Sequence, residues 1–321
     1  MTSVWQELNH DNILDACERT IGEKLSPLLL QRNSYINRVY ELERYASRER
    51  LIAKFYRPGR WPGTLIREEH QLLKTLAEQE IPVIPPLEIK GETLFDNIIP
   101  FALFPKRGGR ALDEFNQPTW EELGRLLARI HLISSLQTKS QRVVWRPAVA
   151  TRHHLEVLLN SPFLLPDFKL ALERTAEEFI KAKDPLFAGV EFILCHGDCH
   201  KGNLIHRPNE GIYIVDFDDI CVAPPVQDLW LLLPDTPEKC ENELAWFLKG
   251  YELFRPFDRA SLELYLPLRG MRMLHFAAWL AVQSQEPDFP THFPETGTPR
   301  YWNELIKELQ ALIYTDLTLP R

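Results

Sequence analysis

Apolar positions along the chain recur with two periods, and the switches between them mark out its organisation. In residues 9–22, Ile13, Leu14, Cys17 and Ile21 return at helical spacing, with Asp11 placed to cap the start and Gly22 to end it. Short apolar runs at 28–30, 38–42 and 51–55 then read as strands, the first two separated by the loop QRNSYIN and the last two by a polar turn around Ser47. Leu65, Leu72, Leu73 and Leu76 restore a helical stripe, and IPVIPP at 81–86 follows as a stiff extended connection. Two more strands are expected at 94–95 and 99–104, with Asp96-Asn97 as their turn, before Pro105-Lys106-Arg107-Gly108-Gly109 breaks the pattern as a passage between two lobes.

Beyond that passage the helical period dominates. Residues 119–136 carry Leu123, Leu127, Ile130 and Ser134 on one face, Gly124 and Ala128 allow close packing there, and His131 reads as a core histidine. Further helices are expected at 152–159, 169–182, 241–253, 261–282 and 301–312, with Pro162, Pro166 and Pro185 as limits and a proline-rich loop at 287–300. Arg269 and Arg272, one turn apart, are candidates for a substrate anion or for acidic neighbours.

The stretch 192–230 interrupts this helical part. An apolar run at 192–194 leads into His196-Gly197-Asp198, Asn203 follows five residues after Asp198, and a second apolar run at 212–215 ends in Asp216-Phe217-Asp218-Asp219. Carboxylates at the ends of such stems are expected to meet in one cleft. Phosphoryl transfer needs that set: one carboxylate to orient the attacking hydroxyl, and an amide with a second carboxylate to hold Mg²⁺ against phosphates. Asp198, Asn203 and Asp216 supply those parts in a workable order, and Asp228 is expected to cap the helix that begins DLWLLL.

The first lobe supplies matching parts. Lys54, on a strand with the alternation Leu51-Ala53-Phe55, is placed to touch the first two phosphates of ATP, and Glu69 is its expected acidic partner, with Glu68 as the alternative. The QRNSYIN loop covers the phosphates in this reading, with Ser34 offering a hydroxyl and N–H and Asn37 bracing the hairpin; the loop contains no glycine. Backbone groups from Phe104 to Lys106 are candidates for the adenine edge, with Leu103 or Phe104 against its face.

Composition narrows the class. The 321 residues are 45% hydrophobic and 26% charged, ample for one large core or two joined ones. A net charge of -8 gives no basic field for nucleic acid. The N-terminus MTSVWQELNHDN has neither a basic start nor an apolar signal core, and the longest apolar run, 271–282, includes Arg272 and His275, so a cytoplasmic protein outside the membrane is expected. Five scattered cysteines argue against a disulfide framework, and Gly197 spoils the spacing of Cys195-His196 and Cys199-His200 for zinc.

The motifs NSYINRVYEL, KFYRP, REEH, LGRLLARIH, HGDCHKGN, VDFDD and PPVQDLW together resemble the aminoglycoside phosphotransferase and choline kinase-like superfamily, and within it a bacterial serine/threonine protein kinase branch tied to stress responses. The resemblance runs over nearly the whole chain. It implies an α+β, two-lobed protein-kinase-like fold: a small antiparallel-sheet lobe over 1–107, hinge included, and a larger helical lobe over 108–321. It implies Asp198 as the catalytic-loop aspartate, Asn203 and Asp216 as metal ligands with Asp216 also catalytic, Lys54 and Ser34 on the nucleotide, Glu69 beside Lys54, and Asp228 and His196 steadying the catalytic loop. ATP and Mg²⁺ are then the expected cofactors, and serine or threonine on protein, the chain itself included, the expected acceptor. A small-molecule kinase for an amino alcohol, sugar or aminoglycoside-like hydroxyl uses the same catalytic residues, and an acidic cleft around Asp218, Asp219 and Glu286 leans that way. A nucleotide-binding regulator without turnover is the third reading, and a monomer is expected. Asp216-Phe217-Asp218 lacks the glycine of eukaryotic protein kinases, and no activation segment ending in Ala-Pro-Glu follows.

Overall fold

A computed structural model gives the structure of the chain, described for all residues except 1–4, 6, 113–114, 138, 316 and 318–321. The chain begins α1 (His10–Ile21), β1 (Leu25–Arg32), β2 (Arg38–Arg44), β3 (Arg50–Phe55), α2 (Gly63–Glu78), β4 (Phe101–Pro105) and β5 (Arg110–Ala111). It continues α3 (Gln117–Ser134), α4 (Arg152–Leu159), α5 (Pro166–Lys183), β6 (Ile193–Cys195), β7 (Leu204–Arg207), β8 (Gly211–Ile214) and β9 (Cys221–Ala223). It ends α6 (Gln227–Trp230), α7 (Glu241–Tyr251), α8 (Tyr265–Gln283), α9 (Phe289–His292) and α10 (Pro299–Tyr314).

Two compact units result. The sheet unit comprises Thr2–Phe115 with Lys201–Asp219, and the helical unit comprises Asn116–His200 with Ile220–Arg321. A single boundary after residue 107 is the expectation from the sequence. The sheet unit reaches further because β5 pairs with β7, which brings the β7–β8 hairpin into it.

In the sheet unit, β1-β2-β3-β4 form an antiparallel sheet whose register aligns Val39 with Lys54 and Ala102, and Glu41 with Ile52 and Phe104. Strand alternation therefore divides the sheet into two faces. Tyr40, Leu42, Leu51, Ala53, Phe55, Phe101 and Leu103 pack beneath α1, which contributes Ile13, Ala16 and Cys17 to the same core. Each large aliphatic side chain buried there contributes about 1.5–3 kcal/mol. The opposite face carries Glu41, Ile52, Lys54, Ala102 and Phe104, and Ala102 and Phe104 meet Tyr56, Ile66, Leu94 and Trp61. Asn9, not Asp11, caps α1: its Oδ1 accepts from the Asn12 N–H at 2.9 Å. Residues 94–95 form no strand, only an isolated bridge from Phe95 to Phe101.

The helical unit packs α3 against α7, and α5 against α4 and α10. Its two-strand piece pairs β6 with β9, a strand the apolar pattern does not announce. The helix expected from residue 261 starts as a 3₁₀ turn, Arg259–Leu264, and becomes α-helical at Tyr265. Among the described residues, no helix is long and apolar enough to cross a membrane. The five cysteines are buried free thiols.

Candidate active site

Asp198 lies three residues past the end of β6 in the helical unit, in a loop held by its backbone. Asp228, fully buried in α6, accepts from the His196 N–H at 2.7 Å and the Gly197 N–H at 2.9 Å, and Gln227 donates to the Gly197 carbonyl at 2.8 Å. Gly197 adopts φ +84°, a left-handed conformation that a side chain would oppose. Asp228 therefore steadies the loop as expected, but it does not cap α6: Val226 holds that position. His131 from α3 completes the support, with Nε2 at 3.1 Å from Asp228 and Nδ1 at 2.8 Å from the Tyr251 hydroxyl. Burial pushes the Asp228 carboxyl up, yet the bonds from His131 and the loop amides hold it below the ordinary range. Ligand atoms of His131, Cys195 and Asp228 lie within 4.8 Å of one another. Their bonding is that of a closed polar core: both Asp228 oxygens accept N–H donors, and the Cys195 thiol, pushed well up by burial, donates to the Ala223 carbonyl.

Asp198 itself is 20% exposed at the side chain. Arg272 of α8 lies 2.7 Å from its Oδ1, and His200 Nε2 lies 3.5 Å from its Oδ2. Burial opposes ionisation, but His200 and Arg272 outweigh it and keep the carboxyl well below its usual value. Of the two roles the sequence allows Arg272, a substrate anion or an acidic neighbour, the structure shows the second: it is paired with the candidate base.

The metal and phosphate candidates lie in the sheet unit. Asn203 ends the 3₁₀ turn before β7, is 8% exposed, and its carbonyl accepts from the Val215 N–H at 3.0 Å. Asp216 is the next residue, so the two sit at one end of the β7–β8 hairpin. Asp216 has φ +65°, uncommon for a residue with a side chain, and 55% of its side chain is exposed.

Lys54 is 13% exposed at its side chain. It pairs with Asp218 and lies 3.3 Å from Asp216, and the Glu69 carboxylate also acts on it electrostatically. Burial opposes its charge, but these three carboxylates raise its pKa well above the ordinary value. Glu69 is 2% exposed while Glu68 is only half-buried, so the residue coupled to Lys54 is Glu69. The main partner of Lys54 is Asp218, which no sequence signal marks as such. It is also held by Asn37 Nδ2 at 2.5 Å and Arg60 at 3.3 Å, while Arg60 pairs with Asp219 at 2.6 Å. Arg60 sits in a turn with no sequence signal of function. Asp218 and Asp219 are thus committed to cations, which removes them from the acidic cleft expected for a cationic substrate.

This neighbourhood fits a divalent cation. Four carboxylates, Asp216, Asp218, Asp219 and Glu69, act on two cations, Lys54 and Arg60. Lys54 pulls the Asp216 carboxyl down, but desolvation and the repulsion of Asp218 and Asp219 leave it above the ordinary range. The Asp216 carboxylate and the Asn203 amide are hard oxygen donors of the kind Mg²⁺ takes.

Ser34 lies half-buried in the β1–β2 loop, its carbonyl 3.5 Å from an Arg38 guanidinium nitrogen. Asn37 braces that loop as expected, accepting from the Arg57 N–H at 3.1 Å while holding Asp218. Phe104 packs edge-on to His70. The Lys106 N–H donates to the Arg50 carbonyl at 3.1 Å and its ammonium to Glu41 at 2.8 Å.

Similarity to known proteins shows the family and the fold. The model of a phosphotransferase enzyme family matches residues 29–265. The chain is 36% identical over 310 residues to stress response kinase A of Escherichia coli, covering 93% of this chain and 90% of that one. It is 35% identical over 311 residues to serine/threonine protein kinase RdoA of Salmonella typhimurium, with the same coverage. Among solved structures, amicoumacin kinase hAmiN in complex with AMP-PNP, Ca²⁺ and Ami superposes with a TM-score of 0.73 over 95% of this chain and 94% of that one, at 18% identity. At that identity the match shows the fold: a small antiparallel-sheet part and a larger, mostly helical part.

Proposed function

This chain belongs to the phosphotransferase enzyme family, and we propose that it moves the γ-phosphoryl group of ATP to serine or threonine hydroxyls of protein, its own included, in a bacterial stress response. The observation that carries the reading is Asp198: an ionised, partly exposed carboxylate on a loop whose backbone is fixed by Asp228 and Gln227. In this reading the enzyme acts as a cytoplasmic monomer.

Asp198 orients the acceptor hydroxyl and takes its proton. The acceptor oxygen bonds to the γ-phosphorus as the bond to the β–γ bridging oxygen breaks, and ADP leaves with that electron pair. Lys54, kept charged by Asp218, Asp216 and Glu69, holds the α- and β-phosphates. Ser34 covers the phosphates, and Phe104 meets the adenine; the Lys106 N–H, bonded to the Arg50 carbonyl, is not the donor to its edge. Asn203 and Asp216 would hold Mg²⁺, which when bound neutralises phosphate oxygens. No residue here forms a covalent intermediate, so the rate comes from positioning and electrostatics.

The test offers γ-labelled ATP to the purified chain alone, with a generic protein, and with a panel of small alcohols, and locates the phosphate by mass spectrometry. Phosphoserine or phosphothreonine is the expected product. Label only on a small alcohol would replace the protein acceptor, and no transfer to any acceptor would reject the enzyme.

A further inference from the structure

The reading above, with Asp198 as the base, leaves open what kind of serine or threonine is chosen. The face of α8 beside Asp198 bears on that. Arg272 is 31% exposed at its side chain, so its guanidinium is within reach of an incoming molecule, and the ion pair the structure gives it is with Asp198 at 2.7 Å. Arg269, one turn earlier, is taken by Glu308. On its other oxygen Asp198 meets His200. A hydroxyl approaching this carboxylate therefore enters ground held by an arginine and a histidine.

We propose that Arg272 selects the acceptor: its ion pair with Asp198 is exchanged for one with an acidic residue beside the target hydroxyl, so that acidic-flanked serines and threonines are phosphorylated in preference to cationic acceptors. The exchange replaces one carboxylate by another around a single guanidinium, so little is lost in making it. It also releases the Asp198 oxygen that must accept from the hydroxyl. An ammonium beside the hydroxyl does the reverse, facing Arg272 as a like charge and leaving Asp198 paired.

The same face continues into an apolar seat for the same peptide. Phe276 and Trp279 follow Arg272 at one and two turns, their rings stacked 5.6 Å apart at 11°, with Phe293 edge-on to Trp279 at 5.5 Å. Phe276 is 42% exposed. Two turns of helix span about 10 Å, the reach of about three extended residues. An apolar residue about three positions from the acidic one meets the aromatic pair.

The experiment compares two peptides with one serine, identical except for glutamates or lysines on either side of it, using the full chain with Mg-ATP. Wild type should favour the glutamate peptide by about tenfold in kcat/KM, and added salt should shrink that ratio because the pair is partly exposed. Arg272→Gln should bring the ratio near one, Arg272→Glu should invert it, and Arg272→Lys should retain most of it. An equal or lysine-favouring ratio in wild type, or an unchanged ratio in Arg272→Gln, overturns the selection while leaving the protein-kinase reading intact. Transfer to choline or ethanolamine with neither peptide labelled overturns both.

Discussion

Glu41 stands in the middle of β2 with none of its side chain exposed, a costly place for a carboxylate unless cations answer it. Arg32, Arg50 and Lys106 do so; burial pushes its pKa up, but these three bring it down to about 2 from 4.5. A depressed carboxylate stabilises the fold fully above its unfolded value and loses that contribution as pH falls through the folded one. Glu41→Gln should lower stability by about 2 kcal/mol at pH 7, since its three partners stay partly hydrated. The gap in thermal midpoint between variant and wild type should hold above about pH 5 and close between 4.5 and about 2. A gap that persists at pH 2 would mean the ion pairs are not its source. Asp218→Asn tests the neighbouring cluster. It leaves Lys54 and Arg60 short of one buried negative charge, and should raise KM for ATP about tenfold while costing about 2 kcal/mol of stability. Unchanged KM would show that Asp218 does not set Lys54. Asp198, Asn203, Asp216 and Lys54 could be singled out in the sequence because their spacing and the residue types around them are local. Asp218 as the partner of Lys54, Arg60 behind it and Arg272 on Asp198 could not, because each pairing joins residues far apart in the chain, and an isolated arginine in a turn or on a helix looks like any other.

The α3–α7 contact shows how an element carries the site. Glycines face each other across it: a Cβ on Gly250 would fall 2.0 Å from the Glu121 carbonyl oxygen, and one on Gly124 2.1 Å from that of Phe247. The close approach lets His131 on α3 reach Tyr251 on α7 and Asp228 beneath the catalytic loop. Gly250→Ala would ordinarily gain about 1 kcal/mol of helix propensity. Here the added methyl meets backbone that cannot rotate away, so a net loss of about 2 kcal/mol in denaturant unfolding is expected, with kcat falling as the loop support shifts. A stabilised variant would contradict it. Long periodic helices such as α3 and α10 were legible because their apolar stripes are several turns long. The short strands β5 and β9 were not, since two or three residues carry no period and their pairing is decided by distant partners. Residues 94–95 have strand-forming side chains, yet the chain turns before a ladder can form, and Phe95 makes only one bridge.

At the scale of the molecule, the candidate residues fall in two compact units. Lys54, Glu69, Asn203, Asp216 and the loop with Ser34 belong to the sheet unit, and Asp198 and α8 to the helical unit. The division into two parts was legible because a mixed helix-and-strand pattern gives way to a mainly helical one at the Pro-Gly break after residue 104. That Lys201–Asp219 folds with the sheet unit was not, because the β5–β7 pairing that draws it there joins segments about a hundred residues apart. If Asp198 is the base proposed above, it serves transfer and not nucleotide binding. The direct measurement is a single-turnover reaction with γ-labelled Mg-ATP and acceptor, run beside calorimetric titration of the same preparations, for wild type and Asp198→Asn. Nucleotide affinity should stay within about twofold of wild type, and transfer should fall by at least about a hundredfold. An Asp198→Asn chain that binds ATP and transfers at the wild-type rate would contradict it.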